Sequence, residues 1–158
     1  MDLEKYNGIE IPARNKMIWE EAILFYQLGQ DAQKKMEEDK KYIVPAIVNV
    51  AFSCELFLKS MLKDGTKGHL LSELFKEIPD SLREFIKDRM IANGGLKPEA
   101  VFDKRLENIS NAFAEWRYFY EDSHDGMTLD YEFLNFFALA MKNLDVLYNN
   151  TEVSKTNE

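Results

Sequence analysis

The chain has 158 residues with a formal net charge of −8; 46% of the residues are hydrophobic and 13% aromatic, with seven glycines and four prolines. That length suits one domain with a sizeable core, and the apolar and aromatic content excludes a largely disordered chain. The acidic balance excludes a nonspecific grip on nucleic acid, which relies on clustered lysine and arginine, and leaves open a local basic site on an acidic body.

Alanine, leucine, glutamate and lysine are plentiful while threonine and valine are sparse, a mixture that favours helices. The single cysteine, Cys54, excludes an internal disulfide and points to a reducing, cytoplasmic setting. The opening MDLEKYNGIE has no signal-peptide character. No apolar run approaches the roughly 18 residues of a membrane span, so no membrane partner is expected.

Residues 1–11 read as a flexible N-terminal arm, 12–150 as a helical domain and 151–158 as a polar tail. Pro12 suits a helix start, and Ile18, Ala22, Phe25, Gly29, Ala32 and Met36 then recur at helical spacing up to the charged run Glu37 to Lys41. Gly29 and Ala32 are small enough to let another helix approach closely. Pro45 fits the first turn of a second helix with the stripe Ile47, Ala51, Cys54, Leu58 and Met61, stopped by Gly65. Cys54 has core spacing and reads as a buried, inert thiol. Glu55 and Lys59 stand one helical turn apart, and Glu55 is placed to point partly inward.

Gly65 and Gly68 bracket a turn, after which Leu70, Leu71, Leu74, Phe75 and Ile78 make a short helix closed by Pro79. His69 at its start can cap that helix, line a pocket or stand exposed. Ser81 with Glu84 reads as a capping box for a second short helix through Phe85, Met90 and Ile91, ended by Asn93-Gly94-Gly95. From Pro98 a long helix is expected, its stripe Phe102, Leu106, Ile109, Phe113, Trp116 and Tyr120 running on towards His124. Thr128 or Asp130 then caps a last helix with the face Phe133, Phe137, Ala140, Leu144 and Leu147, and the chain from Asn149 onward reads as a polar, frayed end. The expected architecture is all-α: an up-and-down four-helix bundle of long helices, with two short helices inserted between the second and third long ones.

The chemistry-bearing residues gather late. Arg117 lies about 40° around the helix from Phe113, beside the apolar stripe rather than opposite it. A guanidinium so placed needs either an internal carboxylate, Glu55 or Glu121 in a structural ion pair, or an anion from outside. There is no glycine-rich phosphate loop, CxxC pair, HExxH or ExxH motif, so neither metal nor cofactor is expected.

The segments NVAFSCELFLKSML (Asn49 to Leu62), GHLLSELFKEIP (Gly68 to Pro79) and FAEWRYFYE (Phe113 to Glu121), in that order and spacing, resemble the HEPN family. These are small helical-bundle domains of prokaryotic defence, toxin–antitoxin and nucleotidyltransferase-associated systems. The resemblance spans roughly Lys16 to Leu147. It implies an Arg-x(4–6)-His motif, which active members use as a metal-independent endoribonuclease site composed across a homodimer. Here Arg117 and His124 match that motif with six residues between them. An arginine can hold the scissile phosphate and a histidine can move the 2′-hydroxyl proton. The residue after the arginine is Tyr118, where active members usually carry a small polar one. Glu121, Asp122 and Asp125 add negative charge around the site, and both departures favour binding over cleavage.

Three readings follow. The first is a non-catalytic HEPN-like module binding a nucleotide, RNA or a partner protein, with Tyr118, Tyr120, Lys59 and His69 as ligand-binding residues. The second is an endoribonuclease toxin with Arg117 and His124 as the catalytic pair. The third is a purely structural bundle in which Arg117 is paired internally. The resemblance also implies a homodimer and a nucleotidyltransferase-type partner, with Trp19, Phe52, Phe119 and Phe136 as candidate aromatic contacts.

Overall fold

A computed structural model of the chain describes residues 2–119 and 128–156. Within them every regular element is a helix. The α-helices are α1 (Lys16–Met36), α2 (Ile43–Ser60), α3 (Leu71–Glu77), α4 (Asp80–Ala92), α5 (Phe102–Ile109), α6 (Ala112–Arg117), α7 (Tyr131–Lys142) and α8 (Asp145–Thr156), with short 3-10 turns at Glu4–Tyr6 and Lys40–Tyr42.

The first helix starts where Asn15 accepts the Ile18 backbone N–H on its side chain at 3.2 Å, an N-cap. Ala22, Gly29 and Ala32 of its stripe are buried, and α1 lies along α2 as the most extensive helix pair of the fold. A Cβ on Gly29 would come within 2.5 Å of Val50 Cγ2 and 3.1 Å of the Val50 nitrogen, so only glycine permits this approach. The α2 stripe Ile47, Ala51, Cys54, Leu58 and Met61 is wholly buried. With neighbours in α1, α3, α6 and α7, α2 is the central helix. Burial pushes the Cys54 thiol far above its ordinary range, which leaves it protonated and unreactive.

The segment Lys40–Ser60 is long and apolar enough to cross a membrane by length and composition, with mean hydropathy 1.5, although no such run was expected from the sequence. In the fold 56% of that window is buried, as suits a core helix.

Several expectations are corrected. The segment read as a flexible arm is docked: Tyr6 is 4% exposed, its ring meets Phe85 edge-on at 5.1 Å, and its hydroxyl donates to Asp88. Lys5 adds an ion pair to Asp88 at 3.0 Å. Burial works against the Asp88 carboxylate, but the hydrogen bonds from Tyr6 and Lys5 outweigh it and hold its pKa below the ordinary value. The Ser81–Glu84 capping box does not form, because Pro79 is the N-cap of α4 and no side chain caps it. That helix ends as expected, in a Schellman turn: Gly94 takes φ +83, Gly95 N–H reaches the Met90 carbonyl at 2.9 Å and Gly94 N–H the Ile91 carbonyl at 3.0 Å.

The long helix expected from Pro98 starts only at Phe102 and is broken between α5 and α6. The break has a tertiary cause. The Ser110 carbonyl accepts the Leu71 N–H at 3.1 Å, its hydroxyl oxygen accepts the Ser72 N–H at 2.9 Å, and the two serine hydroxyls meet at 2.8 Å. These bonds satisfy the start of α3, which has no side-chain cap of its own. The last helix is likewise divided at Asn143, and α8 carries regular helix to Thr156 where a frayed end was expected. The division into four long and two short helices therefore does not hold as stated, since α4 has 13 residues and α5 has eight.

Asp130 caps α7 by accepting the Phe133 N–H at 3.1 Å, and Arg105 of α5 grips the same carboxylate at 2.7 and 3.1 Å. The hydrogen bond from Arg105 is the main reason the Asp130 pKa is lowered.

Candidate nucleic-acid interface at Arg117

Arg117 closes α6, and its guanidinium lies 4.9 Å from the centre of the Phe113 ring and 4.5 Å from that of Tyr118. Phe113 stacks on Phe52 of α2 at 4.5 Å and 17°, and Phe52 meets Phe25 of α1 edge-on at 4.7 Å. A ladder of rings thus runs from α1 across α2 to α6 and ends in an exposed cation. Tyr118 beside it is 41% exposed. Arg14, Arg83 and Arg105 each meet a carboxylate, whereas Arg117 has aromatic faces and no ion pair among the described residues. Cation–π contact holds the guanidinium in place while its N–H donors stay available to an acceptor from solvent.

The Arg117–Glu55 pair, one of the alternatives for this guanidinium, is not formed. Glu55 is 2% exposed, and its Oε1 is taken by Lys59 Nζ at 2.8 Å and His69 Nδ1 at 2.9 Å. A carboxylate can only accept, so both partners donate, and the imidazole is held with its Nδ1 towards the protein. Its other carboxylate oxygen, Oε2, is buried without a partner. The Lys59 side chain is 20% exposed and that of His69 is 61% exposed, just beyond Gly68 at φ +101. Lys59 and His69, read as ligand-binding residues, are thus engaged by the Glu55 carboxylate, which points inward as its place beside Cys54 suggested.

Tyr120, Glu121 and His124 lie outside the described residues. Among the aromatic contacts expected at a dimer interface, Trp19 is 2% exposed, packed on Phe57 at 4.7 Å and beneath the Arg14 guanidinium at 4.4 Å, so it belongs to the core. Phe52 and Phe119 are half-buried, the latter stacked on Trp116 at 5.0 Å. Among the described residues no group of three or more histidine, cysteine, aspartate or glutamate side chains is arranged to hold a metal ion.

One feature escaped sequence reading altogether, a groove of about 380 Å³ between α1 and α7 lined by tyrosines and carboxamides. Its only trace in the sequence is the spacing of Tyr26, Gln30 and Gln33, which share a face of α1. No protein-family model, curated protein or solved structure matches the chain.

Proposed function

We propose that this chain is an HEPN-like module that binds RNA or a nucleotide through Arg117, in a prokaryotic defence or toxin–antitoxin system. One observation supports this reading: the Arg117 guanidinium is exposed, seated on the Phe113 and Tyr118 rings, and unpaired among the described residues, while Glu55 is already taken by Lys59 and His69. A phosphate accepts from the guanidinium, and a base stacks on the exposed Tyr118 ring. An up-and-down bundle, a homodimer, a cytoplasmic setting and a nucleotidyltransferase-type partner belong to the same proposal.

The exposed guanidinium also meets the first need of a second reading, a metal-independent endoribonuclease. In it Arg117 holds the scissile phosphate and His124, across a homodimer, moves the proton of the 2′-hydroxyl.

Incubating the wild type, Arg117→Ala and His124→Ala with tRNA and structured RNA, without metal, separates these readings. Binding that falls at least about tenfold in Arg117→Ala, stays in His124→Ala and brings no cleavage supports the module. Cleavage lost in both variants supports the ribonuclease. No binding and no cleavage by the wild type refutes both. With one phosphate contact on an acidic body, the salt slope of binding is expected near one.

A further inference from the structure

We propose that the groove between α1 and α7 is a second site, one that takes a nucleobase edge-first. It lies on the face of α1 bearing Tyr26, Gln30 and Gln33, and does not depend on Arg117 or on the reading given to it.

The groove's volume of about 380 Å³ falls near the lower end for small-molecule sites, which suits a ligand no larger than a nucleoside. Its walls are rings. Phe136 is backed so closely by Gly95 that a Cβ there would lie 2.0 Å from the Phe136 Cγ, and Tyr131 of the same helix and Tyr26 of α1 are half-buried in the lining. Aromatic walls accept the face of any base, so they supply affinity without choosing the base.

The choice comes from side-chain polar groups held by one another. Gln30 Nε2 donates to Asn135 Oδ1 at 3.0 Å, Asn135 Nδ2 donates to the Tyr131 carbonyl at 2.9 Å, and the Tyr131 hydroxyl donates to Gln33 Oε1 at 3.2 Å. That network leaves Gln30 Oε1 as an acceptor and Gln33 Nε2 as a donor, both pre-oriented and without a partner among the described residues, together with the second N–H of Gln30 Nε2 and of Asn135 Nδ2. Glu132, exposed at the rim, adds a second acceptor and is the one acidic side chain in the lining. Lys142 Nζ lies 5.4 Å from the centre of the Tyr26 ring, so one charge of each sign borders the groove. Gln30 Oε1 and the Glu132 carboxylate both call for an N–H, so an amino-bearing base such as adenine or cytosine, with two to give, fits better than uracil, which offers a single N–H.

The base can come from a free nucleoside or from a single strand of RNA, and one titration series distinguishes them. Adenosine, cytidine, uridine and a short oligoadenylate are titrated into the wild type, Tyr26→Ala, Gln33→Glu and Arg117→Ala, with thermal melts to establish that each variant is folded. Adenosine is expected to bind with a dissociation constant on the order of 0.1–1 mM. Uridine should bind at least about tenfold more weakly. Gln33→Glu exchanges the amide donor for an acceptor with little change of shape, and should weaken adenosine by a similar factor. Arg117→Ala removes whatever binding the Arg117 surface contributes and should leave the Gln33-dependent part of adenosine binding in place. Oligoadenylate binding that needs Gln33 while adenosine binding is absent assigns the groove to a strand; saturable adenosine binding that needs Gln33 assigns it to a nucleoside. Neither ligand binding, equal affinity for uridine, or adenosine binding that survives Gln33→Glu and disappears in Arg117→Ala overturns the proposal. The last of these leaves the Arg117 reading standing.

Discussion

Glu55 and Lys59 form one ion pair, yet removing either partner should have very different consequences. In Lys59→Met the carboxylate stays where it is, with a side chain 3% exposed, Oε2 still unpartnered and only the 61% exposed His69 left on Oε1. Stripping one partner from a buried charge costs about 3–5 kcal/mol, and the remaining imidazole offsets part, giving about 2–4 kcal/mol. In Glu55→Gln the groups left behind, the Lys59 ammonium and the His69 imidazole, can turn into water, since Lys59 is 20% exposed and His69 more so. The amide oxygen can still accept from both. The bond from the Lys59 ammonium stays charge-assisted from the donor side; weakening it and the His69 bond costs about 1–2 kcal/mol together, and no longer burying a carboxylate returns much of that, leaving about 0–1.5 kcal/mol. Scanning calorimetry at neutral pH should therefore place Tm of Lys59→Met below that of Glu55→Gln, by about 4–8 °C for the roughly 2 kcal/mol between the midpoints of the two ranges, at about 2–4 °C per kcal/mol for a domain of this size. The double variant should melt above Lys59→Met alone. Equal destabilisation by the two single variants, or a lower melt for Glu55→Gln, would refute the assignment of Glu55 as the buried charge the pair exists to neutralise.

Three other outcomes are expected. Gly29→Ala should destabilise by about 1–2 kcal/mol in urea unfolding, because overpacking against Val50 at 2.5 Å outweighs the roughly 1 kcal/mol gain in helix propensity, and Val50→Ala in the same chain should relieve it. Ser110→Ala leaves the Ser72 N–H buried without its 2.9 Å acceptor; a loss of about 1–3 kcal/mol and faster hydrogen exchange at the start of α3 are expected. Asp130, held below its ordinary pKa chiefly by Arg105, binds fewer protons folded than unfolded in that range. Its contribution is therefore complete above the usual carboxylate pKa and is lost as pH falls through the lower folded value. Asp130→Asn keeps a capping acceptor but not the charge, so its stability should fall less steeply than the wild type's between about pH 5 and pH 2 in acid titrations followed by circular dichroism.

The sequence by itself determined where most helices lie and which faces they bury. The stripe Ile47, Ala51, Cys54, Leu58 and Met61, the face Phe133, Phe137, Ala140, Leu144 and Leu147, and the Asp130 cap are all observed, because each depends on neighbours within a turn or two of the same chain segment. The placement of Arg117 beside its stripe was legible for the same reason. What the periodicity could not show was which helix a side chain would meet. Continuing a helix past Ser110 costs nothing locally; the start of α3 takes the Ser110 carbonyl and so divides α5 from α6. Glu55 turns to Lys59 and His69 rather than to Arg117, Tyr6 docks on α4, and the carboxamides of α1 and α7 face each other across a groove. Each of these follows from the rotation and register of packed helices, which close approaches such as Gly29 on Val50 settle in three dimensions and no local pattern encodes.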